Sequence, residues 1–157
     1  MSDINYIKGD ATEPVGEGKK IIPHICNDIG AWGAGFVLAL SAKWPAPEAS
    51  YLKWFRSKHF FELGHNQRVE VGGGIMVINM IAQHKVGRDD KGKSPIRYTA
   101  VRECLSRVAA EAKEQKASVH MPRIGCGLAG GSWGVIENII KDTLLDRNIE
   151  VTVYDFE

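Results

Sequence analysis

Residues 20–44 read KIIPHICNDIGAWGAGFVLALSAKW and combine three structural signals in one run of sequence. Residues 20–25 are short, apolar and β-branched, which is typical of a strand. Residues 35–44 carry apolar side chains at helical spacing. The glycine-rich turn at residues 27–35 therefore leads from a strand directly into a helix. A strand, a tight turn and a helix in this order predict an α/β fold.

The rest of the chain repeats this alternation. Strands are predicted at residues 4–8, 67–71, 75–81, 118–121 and 150–154, and further helices at residues 48–61, 98–115 and 133–145. Gly72, Gly73 and Gly74 permit the positive φ of a hairpin turn, so the strands on either side of them are predicted to be antiparallel. The pattern indicates a mostly parallel sheet with helices on both faces, in which ligands gather where strands end.

Length, charge and cysteine content limit the classes of protein to consider. A length of 157 residues suits one domain, predicted here to span residues 1–157, because no linker or repeat divides the chain. The formal net charge is +1, which argues against general nucleic-acid binding. The three cysteines have no regular spacing, and the sequence shows no secretory leader. It also shows no apolar run near the ~20 residues of a membrane span. These features predict a cytoplasmic protein without a membrane role.

Two glycine-rich loops are candidates for binding an anion. The first, NDIGAWGAG at residues 27–35, leads into a helix whose free N–H groups and dipole favour negative charge. The second, GCGLAGG at residues 125–131, also lies between a strand and a helix. Neither loop carries the full dinucleotide fingerprint or a Walker A lysine, so a Rossmann dehydrogenase and a P-loop nucleotidase are not indicated. Facing each other, the two loops could hold a diphosphate through backbone donors alone.

Four motifs carry a resemblance to a known family: YIKGDAT, HICNDIGAWGAGFVLALSAKWP, MPRIGCGLAGGSW and VTVYDF. In order and spacing they resemble the macro domain family, and within it the branch of terminal ADP-ribose protein glycohydrolase and the yeast ADP-ribose 1''-phosphate phosphatase. The resemblance implies a three-layer α/β/α domain with a mixed, mostly parallel sheet. It also implies ADP-ribose or a derivative as the ligand, with no cofactor and no metal.

The same resemblance implies a role for individual residues. Asp10 matches the acidic residue that binds the adenine amino group, and Asn27 matches the asparagine beside the distal ribose. The two glycine loops match those that hold the diphosphate, and aromatic residues at the C-terminus match those that pack on adenine. The ligand-binding residues implied are Asp10, Ala11, Asn27, Gly33, Ala34, Gly35, Gly125, Cys126, Gly127, Leu128, Tyr154 and Phe156.

This chain departs from the branch in its catalytic residues. The glycohydrolase uses a lysine and an aspartate on the distal ribose, and here Gln83 and Ala129 stand at the matching positions. His24, Asn27, Asp28 and Gln83 remain as catalytic candidates, with His24 equally suited to a structural role in its strand. Cys126, between glycines, could be a thiolate nucleophile at a helix N-terminus, where the thiol pKa is lowered, although the resemblance favours a small packing residue there.

Two functions therefore stay open. One is a hydrolase acting at the distal ribose, on ADP-ribose 1''-phosphate or on an ADP-ribosylated acidic side chain of a protein partner. The other is a non-catalytic ADP-ribose reader. Residues 85–97 form a basic segment that is interpreted either as a solvated mobile loop or as a flap over the distal ribose.

Overall fold

The computed structural model describes residues 3–156, which form six strands and four α-helices. The strands are β1 (Asn5–Lys8), β2 (Lys20–Asn27), β3 (Asn66–Gly72), β4 (Ile75–Gln83), β5 (Ser118–Met121) and β6 (Val151–Asp155). The helices are α1 (Phe36–Lys43), α2 (Ala46–Ser57), α3 (Tyr98–Gln115) and α4 (Trp133–Thr143). Single 3₁₀ turns occupy Gly127–Ala129 and Leu145–Arg147.

All six strands join one sheet in the order β1-β6-β5-β2-β4-β3. Every neighbouring pair is parallel except β3 and β4, which form an antiparallel hairpin. Gly72, Gly73 and Gly74 all have positive φ in the turn between them, as expected. Because the other five strands run the same way, the segments that follow them meet at one edge of the sheet, which is where the two glycine loops lie.

Helices cover both faces of this sheet. Alternate residues of the central strands point to opposite sides, as the twofold period of a strand requires. Ile22 and Val77 pack with Leu40 of α1 and Tyr51 of α2. Their neighbours pack on the other side with α3 and α4, in a core that includes Ile21, Ile78, Val101, Leu105, Ile136 and Ile140. The predicted three-layer α/β/α fold with a mixed, mostly parallel sheet is confirmed.

Most predicted boundaries differ from the structure by one or two residues, and α2 differs most. It begins at Ala46, with Pro47 inside the first turn, where a missing N–H costs nothing. It ends at Ser57, four residues before the predicted end, because Lys58 adopts the left-handed conformation that closes a helix. Helix α4 likewise ends at Thr143, and the chain continues in a 3₁₀ turn. Among residues 3–156, none of the helices combines the length and apolarity needed to cross a bilayer.

Candidate functional site

The two glycine loops border the same cleft at the carboxyl edge of the sheet. The larger part of the cleft, about 450 Å³, is lined by Ala34 and Gly35 of the first loop and by residues 125–129 of the second. A smaller part of about 220 Å³ reaches Asn27 and the start of the basic loop at Val86 and Gly87. Both parts share Ile25, Ala34, Val37, Gln83 and Leu128.

The loops come close at the middle of this cleft. A Cβ placed on Gly35 would lie 3.7 Å from Cδ1 of Leu128, which is largely exposed. A smaller depression of about 180 Å³ at the opposite edge of the sheet, near Lys19 and Gly74, is mainly apolar. No glycine-rich strand-to-helix loop borders that depression, so the chemistry favours the cleft as the functional site.

Asn27 gives the first glycine loop its shape. Its Oδ1 accepts hydrogen bonds from the backbone N–H of Ile29 and of Ala31, both at 3.0 Å, and its Nδ2 donates to the Ala31 carbonyl at 2.7 Å. The side chain is 7% exposed. One N–H of Nδ2 remains for a water or a ligand, so the predicted role of Asn27 at the distal ribose depends on that single donor.

Two aromatic residues that sequence reasoning missed stabilise this loop: Tyr51 contacts it from α2, and Trp32 lies within it. The fully buried Tyr51 hydroxyl lies 2.7 Å from the Asn27 carbonyl oxygen and 2.9 Å from Asn27 Oδ1. Burial raises the pKa of Tyr51, so its hydroxyl stays protonated and donates. Trp32 packs on the Tyr51 ring and donates from Nε1 to Ser41 Oγ at 2.8 Å. Their positions on a helix face and in a loop gave no local signal of these contacts.

The first loop ends at an uncapped helix N-terminus. Gly33, Ala34 and Gly35 are exposed, and Gly35 has a φ of 83° at the N-cap of α1. No side chain caps this helix among the residues that the structure describes. Ala34, Gly35, Phe36 and Val37 all border the cleft, so the start of α1 is available to an anion in the cleft.

The second glycine loop closes on its own backbone. The N–H of Gly131 donates to the Gly125 carbonyl at 2.7 Å, and a Cβ on Gly131 would lie 2.3 Å from that oxygen. Gly125 is packed beneath three isoleucine side chains. Gly127, with a φ of 65°, instead has open space where a Cβ would stand, and the residue borders the cleft.

Cys126 shows no sign of an activated thiol. Burial raises its pKa, and the opposing effect of the nearby Arg123 guanidinium is smaller. A thiolate nucleophile requires a lowered pKa. Cys126 therefore fits the small packing residue that the resemblance implied, beside the predicted diphosphate.

Asp10 follows β1 at the carboxyl edge of the sheet and is not among the residues that line the two parts of the cleft. Its Oδ1 accepts hydrogen bonds from the Thr12 backbone N–H at 2.8 Å and from Thr12 Oγ1 at 2.7 Å, which forms the turn. Both bonds use the same oxygen, so Oδ2 can still accept from a ligand. Ala11 is 3% exposed, so its backbone is buried together with its methyl group, and its predicted contact with a ligand stays a prediction.

Tyr154 supports this end of the site and does not offer its ring to a ligand. Its side chain is 2% exposed, and its hydroxyl accepts from the Val15 N–H at 3.0 Å. The same hydroxyl is hydrogen-bonded to His120 Nδ1 at 2.7 Å, and His120 Nε2 is hydrogen-bonded to Ser118 Oγ at 2.7 Å. The expectation that the Tyr154 ring packs on adenine is therefore corrected. Phe156 is 79% exposed, so its ring is available for the predicted contact.

His24 has a structural environment. Its ring is 2% exposed and its Nε2 lies 2.5 Å from Asn79 Oδ1, an acceptor that identifies Nε2 as the protonated nitrogen. Asn79 in turn donates to Gln67 Oε1 at 2.9 Å. Burial lowers the pKa of His24 to about 4, so the ring is neutral at neutral pH. Of its two predicted roles, the structure favours the structural one over the general acid.

Gln83 ends β4 beside Asn27, with which it pairs across the sheet, and it borders both parts of the cleft. Its Nε2 donates to the Lys85 carbonyl at 2.9 Å. Ala129 is buried and presents no ionisable group to the cleft. The predicted catalytic role of Gln83 stays a prediction, and the lysine and aspartate of the branch have no equivalent at these two positions.

The basic loop at residues 85–97 is folded by its own hydrogen bonds. Asp89 Oδ1 accepts from the backbone N–H of Lys91 and of Lys93. Arg88 donates to the Gly92 carbonyl at 2.8 Å. At its base, the Asp28 carboxylate accepts from His84 and from the Lys85 N–H. These bonds lie within the segment and at its base, beside Val86 and Gly87 of the cleft, and both predicted roles of the segment stay predictions.

The chain is similar to known proteins in both sequence and structure. No family model matches the sequence. A solved structure of a protein of unknown function from Bacteroides thetaiotaomicron superposes with a TM-score of 0.97 and 59% identity, covering 98% of each chain. Among curated proteins, Chromodomain-helicase-DNA-binding protein 1-like of Mus musculus is 32% identical over 99% of this chain, which spans 18% of the length of that relative.

Two further matches extend over nearly the whole length of both proteins. ADP-ribose 1''-phosphate phosphatase of Candida albicans is 25% identical over 96% of this chain and 98% of that protein. The structure of a macrodomain protein from Streptomyces coelicolor is 50% identical, with a TM-score of 0.85, and the match covers 98% of this chain and 99% of that one. With half of its residues shared over this full-length match, the chain belongs to the macrodomain family.

Proposed function

We propose that the cleft binds ADP-ribose, with the diphosphate held between the two glycine loops. The observation that carries this proposal is the meeting of both loops on one cleft, each offering backbone N–H groups beside a turn or a helix N-terminus. Such sites bind phosphate without lysine, which agrees with the net charge of +1. The macrodomain relatives support the same ligand, because one of them is named as an ADP-ribose 1''-phosphate phosphatase.

The ligand has one orientation along the cleft in this proposal. Adenine lies at Asp10, whose free Oδ2 accepts from the exocyclic amine, and Phe156 packs on the ring. The distal ribose lies beside Asn27 and Gln83, where the smaller part of the cleft is enclosed by Trp32, Val86 and Leu128. This orientation follows the resemblance in the sequence, and the presence of Asn27 and Gln83 in the lining of the cleft supports its distal-ribose end.

A bound derivative of ADP-ribose, either ADP-ribose 1''-phosphate or an ADP-ribosylated acidic side chain, is then hydrolysed at its distal ribose. In this step a water attacks the phosphate or the acyl carbon of the group at the anomeric carbon, and ADP-ribose is the leaving group. The remaining N–H of Asn27 and the side chain of Gln83 orient the water, and the bound diphosphate accepts its proton. The full-length similarity to the Candida albicans phosphatase favours hydrolysis over a reader that only binds.

Two experiments test this function. Titration calorimetry should show that ADP-ribose binds more tightly than ADP, ATP or NAD, and equal affinity for ATP would remove the proposed contact with the distal ribose. The protein should also be incubated with ADP-ribose 1''-phosphate and, separately, with a peptide ADP-ribosylated on glutamate, and released ADP-ribose measured. Product from the peptide would make ADP-ribosylated proteins the partners, and binding without any product would leave the reader. A cytoplasmic location is part of the proposal and agrees with three free cysteines.

A further inference from the structure

Asp28 connects two segments that are 57 residues apart in sequence. Its Oδ2 accepts a hydrogen bond from His84 Nδ1 at 2.7 Å, and its Oδ1 accepts one from the Lys85 backbone N–H at 2.7 Å. The Asp28 side chain is 16% exposed, so water competes weakly for these bonds. Asp28 follows Asn27, which is itself fixed by Tyr51. Through these two hydrogen bonds, the carboxylate fixes the chain after β4 against the start of the first glycine loop.

Lys85 has an unfavourable backbone conformation that these hydrogen bonds stabilise. It has a φ of 58°, in the left-handed region that residues with a Cβ rarely adopt. In this conformation its N–H points to Asp28 and its carbonyl accepts from Gln83 Nε2 at 2.9 Å. One strained residue therefore joins the carboxylate of Asp28 to the amide of Gln83.

Gln83 is the residue whose position matters for the cleft. It borders both parts of the cleft and pairs with Asn27 across the sheet, and Val86 and Gly87 beyond the turn form the adjoining wall. Without the bonds to Asp28, Lys85 can leave the left-handed conformation, and the carbonyl that holds Gln83 moves with it. The side chain then loses its fixed place beside the proposed distal ribose.

We propose that Asp28 is a positioning residue that fixes Gln83 and the adjoining wall, and so gives the site its preference for ADP-ribose over ADP. The inference rests on the proposed function, because it takes the distal ribose to lie against this wall. It assigns Asp28 no contact with the ligand. Its effect is confined to the distal ribose, since the glycine loops that hold the diphosphate are built by other bonds.

The test compares Asp28→Ala with Asp89→Ala as a matched control. Asp89 also binds two backbone N–H groups of the basic loop through one carboxylate, but at the tip of the loop. Dissociation constants for ADP-ribose and ADP are measured by calorimetry, together with Tm. Asp28→Ala should weaken ADP-ribose binding about tenfold and change ADP binding by less than about twofold. Asp89→Ala should leave both constants unchanged.

Asp28→Asn provides a second variant that keeps an oxygen acceptor for the Lys85 N–H. In this variant the preference for ADP-ribose over ADP should fall only about threefold. The same comparison can be made with this variant if Asp28→Ala does not fold. An unchanged ratio of the two constants in a folded Asp28 variant, or an equal loss in Asp89→Ala, overturns the inference and leaves the proposed function standing. A wild-type protein that binds ADP-ribose no better than ADP contradicts the proposed function itself, and the inference falls with it.

Discussion

The two glycine loops that border the cleft are held in shape by different means. The first is fixed by side chains: Asn27 bonds the backbone of its own turn, and Tyr51 from α2 bonds Asn27. The second is fixed by its backbone, through the hydrogen bond from Gly131 to Gly125, and has no room for a Cβ at Gly131. The conformation of the first loop should therefore change when side-chain atoms outside it are removed. The conformation of the second loop should change when atoms are added to its own residues.

The largest effect is expected from Gly127→Glu in the second loop. A side chain at Gly127 meets open space, and the residue borders the cleft, so the fold should survive while a carboxylate is introduced beside the proposed diphosphate. Steric exclusion and charge repulsion should weaken ADP-ribose binding by about a hundredfold or more, as measured by calorimetry. Hydrolysis, where present, should be lost with it.

Gly73→Glu is the matched control for this variant. Gly73 has a φ of 62°, close to the 65° of Gly127, and likewise has open space around a Cβ, but it lies in the β3–β4 hairpin. Both variants should lose the same modest stability from forcing a non-glycine residue into positive φ, about 1 kcal/mol in the free energy of unfolding. Equal ADP-ribose affinity of the two variants would place the diphosphate outside the second loop.

The difference between the loops also explains what the sequence could predict. The strands, helices and glycine loops were predictable because each depends on a local pattern: alternation, helical spacing, or glycine between a strand and a helix. The predicted hairpin is confirmed for the same reason, since Gly72, Gly73 and Gly74 are consecutive. The second loop is closed by residues six apart, so its position and type could be read from one short motif.

The supports of the site could not be predicted in this way. The bond from Tyr51 to Asn27 spans 24 residues, that from Lys85 to Asp28 spans 57, and that from Tyr154 to His120 spans 34. A polar side chain in a single sequence does not reveal its partner across such distances. For this reason the sequence predicts a ligand contact for Tyr154 and leaves two roles open for His24, whereas both side chains are buried and hydrogen-bonded in the structure.

A second variant, Tyr51→Phe, tests the side-chain support of the first loop. It removes a buried hydroxyl that bonds Asn27, while the ring continues to fill the core. The free energy of unfolding in urea should fall by about 2 kcal/mol, because the Asn27 carbonyl loses a partner that water cannot replace. Binding of ADP-ribose should weaken in parallel as the loop loosens.

Tyr98→Phe is the corresponding change near the second loop. The Tyr98 hydroxyl accepts from the Ser132 N–H at 2.8 Å in an exposed position, where water can replace it. This variant should cost less than about 0.5 kcal/mol. A loss as large as that of Tyr51→Phe would show that the second loop also depends on a distant side chain, and the contrast between the loops would not hold.

The smallest effect concerns two buried histidines in the strands before the loops. Their protonation in acid should lower the free energy of unfolding. Burial lowers the pKa of His24, in the strand before the first loop, and of His120, in the strand before the second, from 6.5 to about 4. Because each folded-state pKa is below the unfolded one, the stabilisation is complete above pH 6.5 and is lost as the pH falls from there towards about 4. Between about pH 7 and about pH 5.5, urea unfolding should show a loss of about 1 kcal/mol for each histidine. His24→Asn and His120→Asn should each remove half of this loss of unfolding free energy. As a control, substitution of the exposed His59 by Asn should leave the loss unchanged. A loss that persists after both buried histidines are replaced would have to arise from other groups.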